Sequence, residues 1–253
     1  MEKVKISNSD GKSIAAVIHF PENKTEKLAI LCPGYLDSKD YNHLVGLAEA
    51  LAEKGYTVVR FDPTGIWESE GSIADYTNSQ YLKDIKSVLE YTLSKRDYRH
   101  ILLGGHSRGG IVSIIHAAKD SRISVVLGIM PSSGGLLTGE KREQWEKNGV
   151  SISERDMPGK TKKREFRVPY SYLKDKDQYD VVGEVKKVHV PLLLVAGRSD
   201  TLVLPESVKR IFDSANEPKK IIIIPGIGHD YRFNLSEVKI VNDEILKYLS
   251  SNQ

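Results

Sequence analysis

The chain has 253 residues, 40% of them hydrophobic and 28% charged, with a formal net charge of +3. That length suits one α/β domain or two smaller ones, and the composition excludes wholesale disorder. A mild positive balance without a concentrated basic face argues against nucleic acid. The single cysteine, Cys32, excludes a disulfide framework and a multi-cysteine zinc site, so a reducing compartment is the default. The opening MEKVKISNSDGKSIAAV has no charged region followed by a long apolar one. The longest uncharged stretch, 123–139, is broken by Pro131, glycines and serines, so no spanning helix is read. The expectation is a cytoplasmic protein with no membrane partner.

No internal repeat is found. Two short apolar segments, 4–7 and 14–20, flank Asn8-Ser9-Asp10-Gly11, which is turn chemistry and predicts a β-hairpin. Strand and helix then alternate. A strand over 28–32 ends at Pro33-Gly34, and a helix over 41–54 carries Leu44, Leu47, Ala48 and Leu51 before Gly55 stops it. A β-branched strand covers 56–61, and a helix over 80–93 presents Leu82, Ile85, Leu89 and Leu93 on one face. Strands at 101–104, 124–130, 190–196 and 220–225 are apolar without alternation, the pattern of strands buried on both faces. A small-residue helix covers 111–118, and an amphipathic helix over 235–249 closes the chain with Val238, Val241, Ile245 and Leu249 inward.

This order predicts an α/β fold with right-handed crossovers and a mostly parallel sheet. The segment 136–187 breaks the rhythm with dense Lys, Arg and Glu, two prolines and few apolar runs. It is read as an inserted lid or cap on a core formed by 1–135 and 188–253.

The chemistry concentrates in Ile101-Leu102-Leu103-Gly104-Gly105-His106-Ser107-Arg108-Gly109-Gly110. Gly-x-Ser-x-Gly at Gly105, Ser107 and Gly109 follows an apolar strand and precedes a helix, the context that makes it a nucleophile turn. Such a serine sits in strained backbone, the flanking glycines remove side chains that would collide with the turn, and the following helix favours developing negative charge. Serine needs a base. Of the histidines weighed, His229 follows the last strand in Pro225-Gly226-Ile227-Gly228-His229, at the sheet edge where ligands bind in parallel folds. His106 adjoins Ser107, and its ring is expected to point away from the hydroxyl. Asp200, after the strand 190–196, is the acid that would orient the imidazole, and Asp230 is too near in sequence to reach back. The order Ser107, Asp200, His229 is that of one hydrolase architecture. The backbone N–H groups of Arg108 and Tyr35 are the expected oxyanion donors, with Gly34 allowing close approach. Cys32 is read as a small buried hydrophobe.

These residues resemble the α/β-hydrolase fold superfamily, near the cinnamoyl/feruloyl esterases, monoacylglycerol lipases and serine aminopeptidase S33 proteins. The resemblance rests on Pro33-Gly34-Tyr35, the loop Phe61-Asp62-Pro63-Thr64-Gly65 to Gly71, the 105–110 turn, and the Asp200/His229 pair. It implies an eight-stranded sheet with an antiparallel second strand and a lid after the sixth strand. Two departures change the walls of the cleft. Cys32-Pro33 stands where relatives carry His before the oxyanion glycine, and Gly65-Ile66-Trp67 replaces Gly-His-Gly.

The expected activity is therefore carboxylic-ester hydrolysis through an acyl-enzyme, on a small-molecule ester with a short acyl or aryl, hydroxycinnamoyl-type group. Trp67, Trp145 and Tyr170 are substrate contacts in this reading, and Phe166, Tyr172 and Leu173 are further apolar residues of the lid. Competing readings are an aminopeptidase or amidase, with Glu143, Glu146, Glu154 or Asp156 holding the amine, an acyltransferase, and a non-catalytic binding protein. The basic run 160–164 reads as a solvated lid face. No phosphate loop or metal-ligand spacing occurs, so neither cofactor nor metal is expected, and the chain is expected as a monomer or homodimer.

Overall fold

The computed structural model describes residues 1–135 and 137–251. Leu136, where the predicted insertion begins, and residues 252–253, where the predicted core segment ends, lie outside the described residues.

Strands β1 (Glu2–Ser7) and β2 (Ser13–His19) form the expected hairpin. Its turn is fixed by Asn8, whose Oδ1 accepts from the Asp10 and Lys12 N–H groups at 3.0 and 2.9 Å. Then follow β3 (Lys27–Cys32), α1 (Asn42–Glu53), β4 (Thr57–Phe61), α2 (Asn78–Lys95), β5 (His100–His106), α3 (Arg108–Ala117) and β6 (Val125–Ile129). After the insertion come β9 (Leu192–Gly197), α7 (Pro205–Ser214), β10 (Lys219–Ile224) and α8 (Leu235–Ser251). The main sheet has eight strands in the order β1-β2-β4-β3-β5-β6-β9-β10. Only the pairings of β2 are antiparallel.

Two apolar layers explain the unalternating strands. Along β3, Leu28, Ile30 and Cys32 face a core shared with α2, α3 and α7, while Ala29 and Leu31 face one shared with α1 and α8. Successive residues of a strand point to opposite faces, so a strand covered by helices on both sides is apolar throughout. The Ile run of β10 was expected to be buried on both faces and is not. β10 is the sheet's outer edge, Ile223 is exposed, and Ile221 and Ile222 are half-buried.

Helix α7 was not predicted, although Pro205 at its start and Val208 and Ile211 on one face are helix signals. The insertion is more regular than its sequence suggested. It contains α4 (Glu140–Asn148), an antiparallel hairpin of β7 (Val150–Asp156) and β8 (Lys163–Pro169), α5 (Ser171–Lys176) and α6 (Val181–Val185). β8 hides only Phe166 and Val168 fully, so its charged residues masked the strand. α6 lies inside the segment read as the insertion, yet Val181 and Val185 join the main core. No helix among the described residues is long and apolar enough to cross a membrane.

Two stability predictions follow from these layers. Ile245 on α8 is fully buried while Ile240 is 46% exposed. In urea unfolding Ile245→Ala is expected to cost about 2–5 kcal/mol, and Ile240→Ala to stay within about 0.5 kcal/mol. The second concerns His19, whose Nε2 accepts from Arg60 Nε at 2.9 Å. Burial and the Arg60 charge push its pKa down to about 4. Between that value and about 6.5 the unfolded chain binds a proton that the folded chain refuses, so stability falls as pH drops from 7 towards 4. Urea midpoints at pH 7 and pH 5 test this, and His19→Gln is expected to show the smaller drop.

Candidate active site

The turn after β5 holds Ser107 at φ 53° and ψ −117°, a left-handed conformation that a serine adopts only under constraint. The constraint is the end of β3. A Cβ on Gly105 would stand 2.2 Å from the Cys32 carbonyl oxygen, and one on Gly109 would stand 2.0 Å from it. The glycines are thus required by the neighbouring strand at least as much as by the turn itself.

Ser107 Oγ lies 3.0 Å from His229 Nε2, and His229 Nδ1 lies 2.7 Å from Asp200 Oδ2. With the proton on Nδ1 donated to the carboxylate, Nε2 is free to accept from the hydroxyl. Asp200 is buried, and its Oδ1 accepts from the Leu202 and Val203 N–H groups at 2.9 and 2.7 Å. Burial pushes its pKa up, but the bond from His229 and these backbone donors outweigh it and hold the carboxyl below its ordinary range. The loops after β9 and β10 are joined by Arg198 N–H to Ile224 O and Ser199 N–H to Ile227 O, both 2.9 Å. This fixes the acid relative to the base. Asp230 turns away, 61% exposed and paired with Arg232 at 3.1 Å.

The loop after β3 carries Gly34 and Tyr35. Leu36 takes φ 57°, and its N–H donates to Tyr76 Oη at 2.7 Å. Tyr81 Oη donates to Pro33 O at 2.9 Å. The Tyr35 N–H has no backbone acceptor among the described residues, and the Arg108 N–H lies in the open first turn of α3. Cys32 is fully buried, and burial pushes its thiol up to about 12, which leaves it un-ionised and inert.

The aromatic residues singled out from sequence meet in one cluster. Trp67, at φ 51°, donates from its indole to Leu36 O at 3.0 Å and packs edge-on to Phe166 at 5.3 Å. Trp145 donates to Val168 O at 2.9 Å and stacks on Tyr172, which lies 5.2 Å from Tyr35. Tyr170 packs at the cluster's margin and faces the Arg142 and Lys174 cations. Sequence reasoning used only the backbone of Arg108. Its side chain is buried, with the guanidinium 4.0 Å over Tyr76, 5.0 Å from Tyr81 and 5.1 Å from Tyr172. Also missed were Tyr76, which braces the loop after β3, and Asp37, His43 and Arg232 behind Ser107. No short motif marks these three, because they come together only in the fold. Of the insertion's acids, Glu143, Glu146 and Glu154 are exposed and Asp156 is half-buried. A groove of about 630 Å³ between α4 and the β7–β8 hairpin, lined by Trp145, Ile152 and Arg167, contains none of Ser107, Asp200 and His229.

Residues 23–148 match the family model of the serine aminopeptidases, S33. The chain is 26% identical over 210 residues to the palmitoyl-protein thioesterase ABHD10 of Mus musculus, covering 80% of this chain and 68% of that protein. The human ABHD10 match, at 24% identity, covers 69% of this chain and 57% of the relative. Among solved structures, Est1E from Butyrivibrio proteoclasticus with bound ferulic acid superposes with a TM-score of 0.78 at 24% identity, covering 98% of this chain and 99% of that one. With the sheet order, the turn at Ser107 and these likenesses in agreement, the chain has the α/β-hydrolase fold and is similar to hydrolases that share it.

Proposed function

We propose that the chain hydrolyses carboxylic esters through an acyl-enzyme on Ser107. The observation that carries this reading is the continuous relay from Ser107 Oγ through His229 to Asp200, at 3.0 and 2.7 Å. His229 Nε2 takes the hydroxyl proton as Oγ attacks the ester carbonyl. Asp200 keeps the imidazole in the right tautomer and stabilises the imidazolium. The Tyr35 and Arg108 N–H groups receive the carbonyl oxygen as it becomes an oxyanion. His229 then returns the proton to the leaving alkoxide. A water molecule, deprotonated by the same nitrogen, releases the acid.

The preferred acyl group in this reading is short or aromatic. Tyr35, Trp67 and Tyr172 supply flat apolar surface beside the oxyanion loop, and aromatic pairs prefer offset or edge contacts of the kind an aryl group would extend. The ferulic acid bound to Est1E and the thioesterase name of ABHD10 are both compatible with acyl transfer from an activated carbonyl to water. Aminopeptidase action is less well supported, because the exposure of Glu143, Glu146 and Glu154 leaves an incoming amine no enclosed carboxylate from them.

Turnover of p-nitrophenyl butyrate and labelling by a fluorophosphonate probe test the assignment. Ser107→Ala is expected to lose labelling and at least about 10³-fold in kcat. Asp200→Asn is expected to lose about 10⁴-fold, through the wrong imidazole tautomer. Full activity in Ser107→Ala would sink the reading. Trp67→Ala is expected to lower kcat/KM for a hydroxycinnamate ester about tenfold more than for an acetate ester, the value of one aromatic contact. Equal losses would remove Trp67 from the acyl site.

A further inference from the structure

Several buried groups that this mechanism leaves unused converge behind Ser107. Asp37, His43 and His106 are each no more than 3% exposed. Asp37 Oδ2 lies 3.6 Å from His106 Nδ1 and 3.9 Å from His43 Nε2, while Asp37 Oδ1 accepts from Arg232 Nη1 at 3.2 Å. The His106 ring is 4.9 Å from that of His43 and 4.7 Å from that of His229, and Tyr231 packs edge-on to both His43 and His106 at 5.6 Å. Neither imidazole has a close hydrogen-bond partner among the described residues, so ring packing and the field of the carboxylate hold them.

The same ligand atoms lie within 4.8 Å of one another and have the composition of a metal site. Charge argues against one. Arg232 already balances Asp37, and a divalent ion would leave a double positive charge buried in the interior, a cost that burial without pairing makes large.

Asp37 instead joins the three segments that carry the reacting groups. Its own N–H closes the turn on Gly34 O at 3.2 Å. Its carboxylate fills the space above Gly34, where a Cβ would stand 2.6 Å from Oδ2 and 3.3 Å from His106 Nδ1. His106 immediately precedes Ser107, and Arg232 follows His229 by three residues. Burial raises the Asp37 pKa, but the adjacent His106 ring and the Arg232 charge outweigh it and bring it down to about 2, so the group is a carboxylate.

We propose that Asp37 is a positioning residue whose carboxylate holds the loop bearing the Tyr35 N–H against the turn bearing Ser107 and, through Arg232, against the loop bearing His229. It touches no substrate in this reading, which rests on the ester hydrolysis proposed above. A displacement of about 1 Å between reacting groups costs about 10²-fold in rate. The effect therefore belongs in kcat and not in KM.

The experiment compares wild type with Asp37→Asn, Arg232→Met and Arg232→Lys, measuring kcat and KM for p-nitrophenyl butyrate, the melting temperature, and bound metal by elemental analysis. Asp37→Asn is expected to lose about 30- to 100-fold in kcat with KM within about twofold. Arg232→Met should move the same way, and Arg232→Lys, which keeps the charge, should recover most of that loss. If Asp37→Asn does not fold, the Met against Lys comparison at the less buried Arg232 decides the matter. A kcat within about twofold of wild type in folded Asp37→Asn and Arg232→Met, or a loss expressed only in KM, overturns the proposal. So does one divalent metal per chain that Asp37→Asn removes. A wild type inert to the esters and to the fluorophosphonate overturns the ester-hydrolase reading and this proposal with it. An active wild type with an unaffected Asp37→Asn overturns only the positioning role.

Discussion

The site depends on one close approach, that of the Cys32 carbonyl at the end of β3 to the glycines on either side of Ser107. Without side chains at Gly105 and Gly109, the central strands can sit at full register with the strained turn pressed between them. That contact brings the loop after β3 beside the serine, so the Tyr35 N–H and the Ser107 hydroxyl follow strands that are hydrogen-bonded neighbours. Strain of this kind costs of order 1–3 kcal/mol at a residue such as Ser107, and it persists only where surrounding packing over-determines the conformation. Here β3, β5 and β6, buried throughout except at Lys27 and His100, provide that packing.

A polar layer beneath the loop after β3 keeps that loop in place. Lys39 is buried, and its ammonium contacts Asp40 at 2.8 Å, Asp62 at 3.1 Å and Glu68 at 2.5 Å. Asp62 Oδ1 accepts from the Lys39 N–H at 2.8 Å, and Arg60 donates to Lys39 O and pairs with Asp40. Buried charges contribute little net stability over apolar residues of the same volume, but breaking one such pair is costly. Arrangements of this type specify one loop geometry and penalise its alternatives. Asp37 extends the same logic towards the catalytic side, where directed bonds give way to a carboxylate among rings.

The framework was legible because its signals are local. Strands covered on both faces read as apolar runs, α1 and α8 show helical spacing, and Gly-x-Ser-x-Gly sits between a strand and a helix. Ser107, Asp200 and His229 stand out by order and strand ends, and the fold brings their side chains into hydrogen-bonding distance. The misreadings have physical causes. The Ile run of β10 looks like a central strand because intrinsic apolarity carries no record of which strand lies at the edge. The β7–β8 hairpin was hidden because β7 buries no residue fully and β8 buries only Phe166 and Val168 among charged neighbours. Asp37 and His43 meet the distant Arg232 only in the fold, and a lone Asp in a loop reads no differently whether it faces solvent or the core.

The insertion is tied by hydrogen bonds to the loop after β3, the loop after β4 and the start of α2. Its contacts fall on the segments that shape the site. Tyr41 Oη donates to Asp156 O at 2.7 Å, Arg164 to Trp67 O at 3.0 Å, and Asp175 accepts from the Asn78 N–H at 2.6 Å at the start of α2. The last interaction places a carboxylate on a helix N-terminus, where it is favoured. Between these polar anchors lie stacked, tilted and edge-on aromatic contacts among Tyr35, Trp67, Trp145, Phe166 and Tyr172. An aryl group entering above Ser107 would replace one aromatic neighbour with another at little net cost. A charged group would have to be desolvated against the same rings, where Arg108, Arg155 and Arg164 already place cations over Tyr172, Tyr35 and the Trp67–Phe166 pair. In the proposed reaction, a wall of this kind would favour flat acyl groups of low polarity, with the Tyr35 and Arg108 N–H groups receiving their carbonyl oxygen.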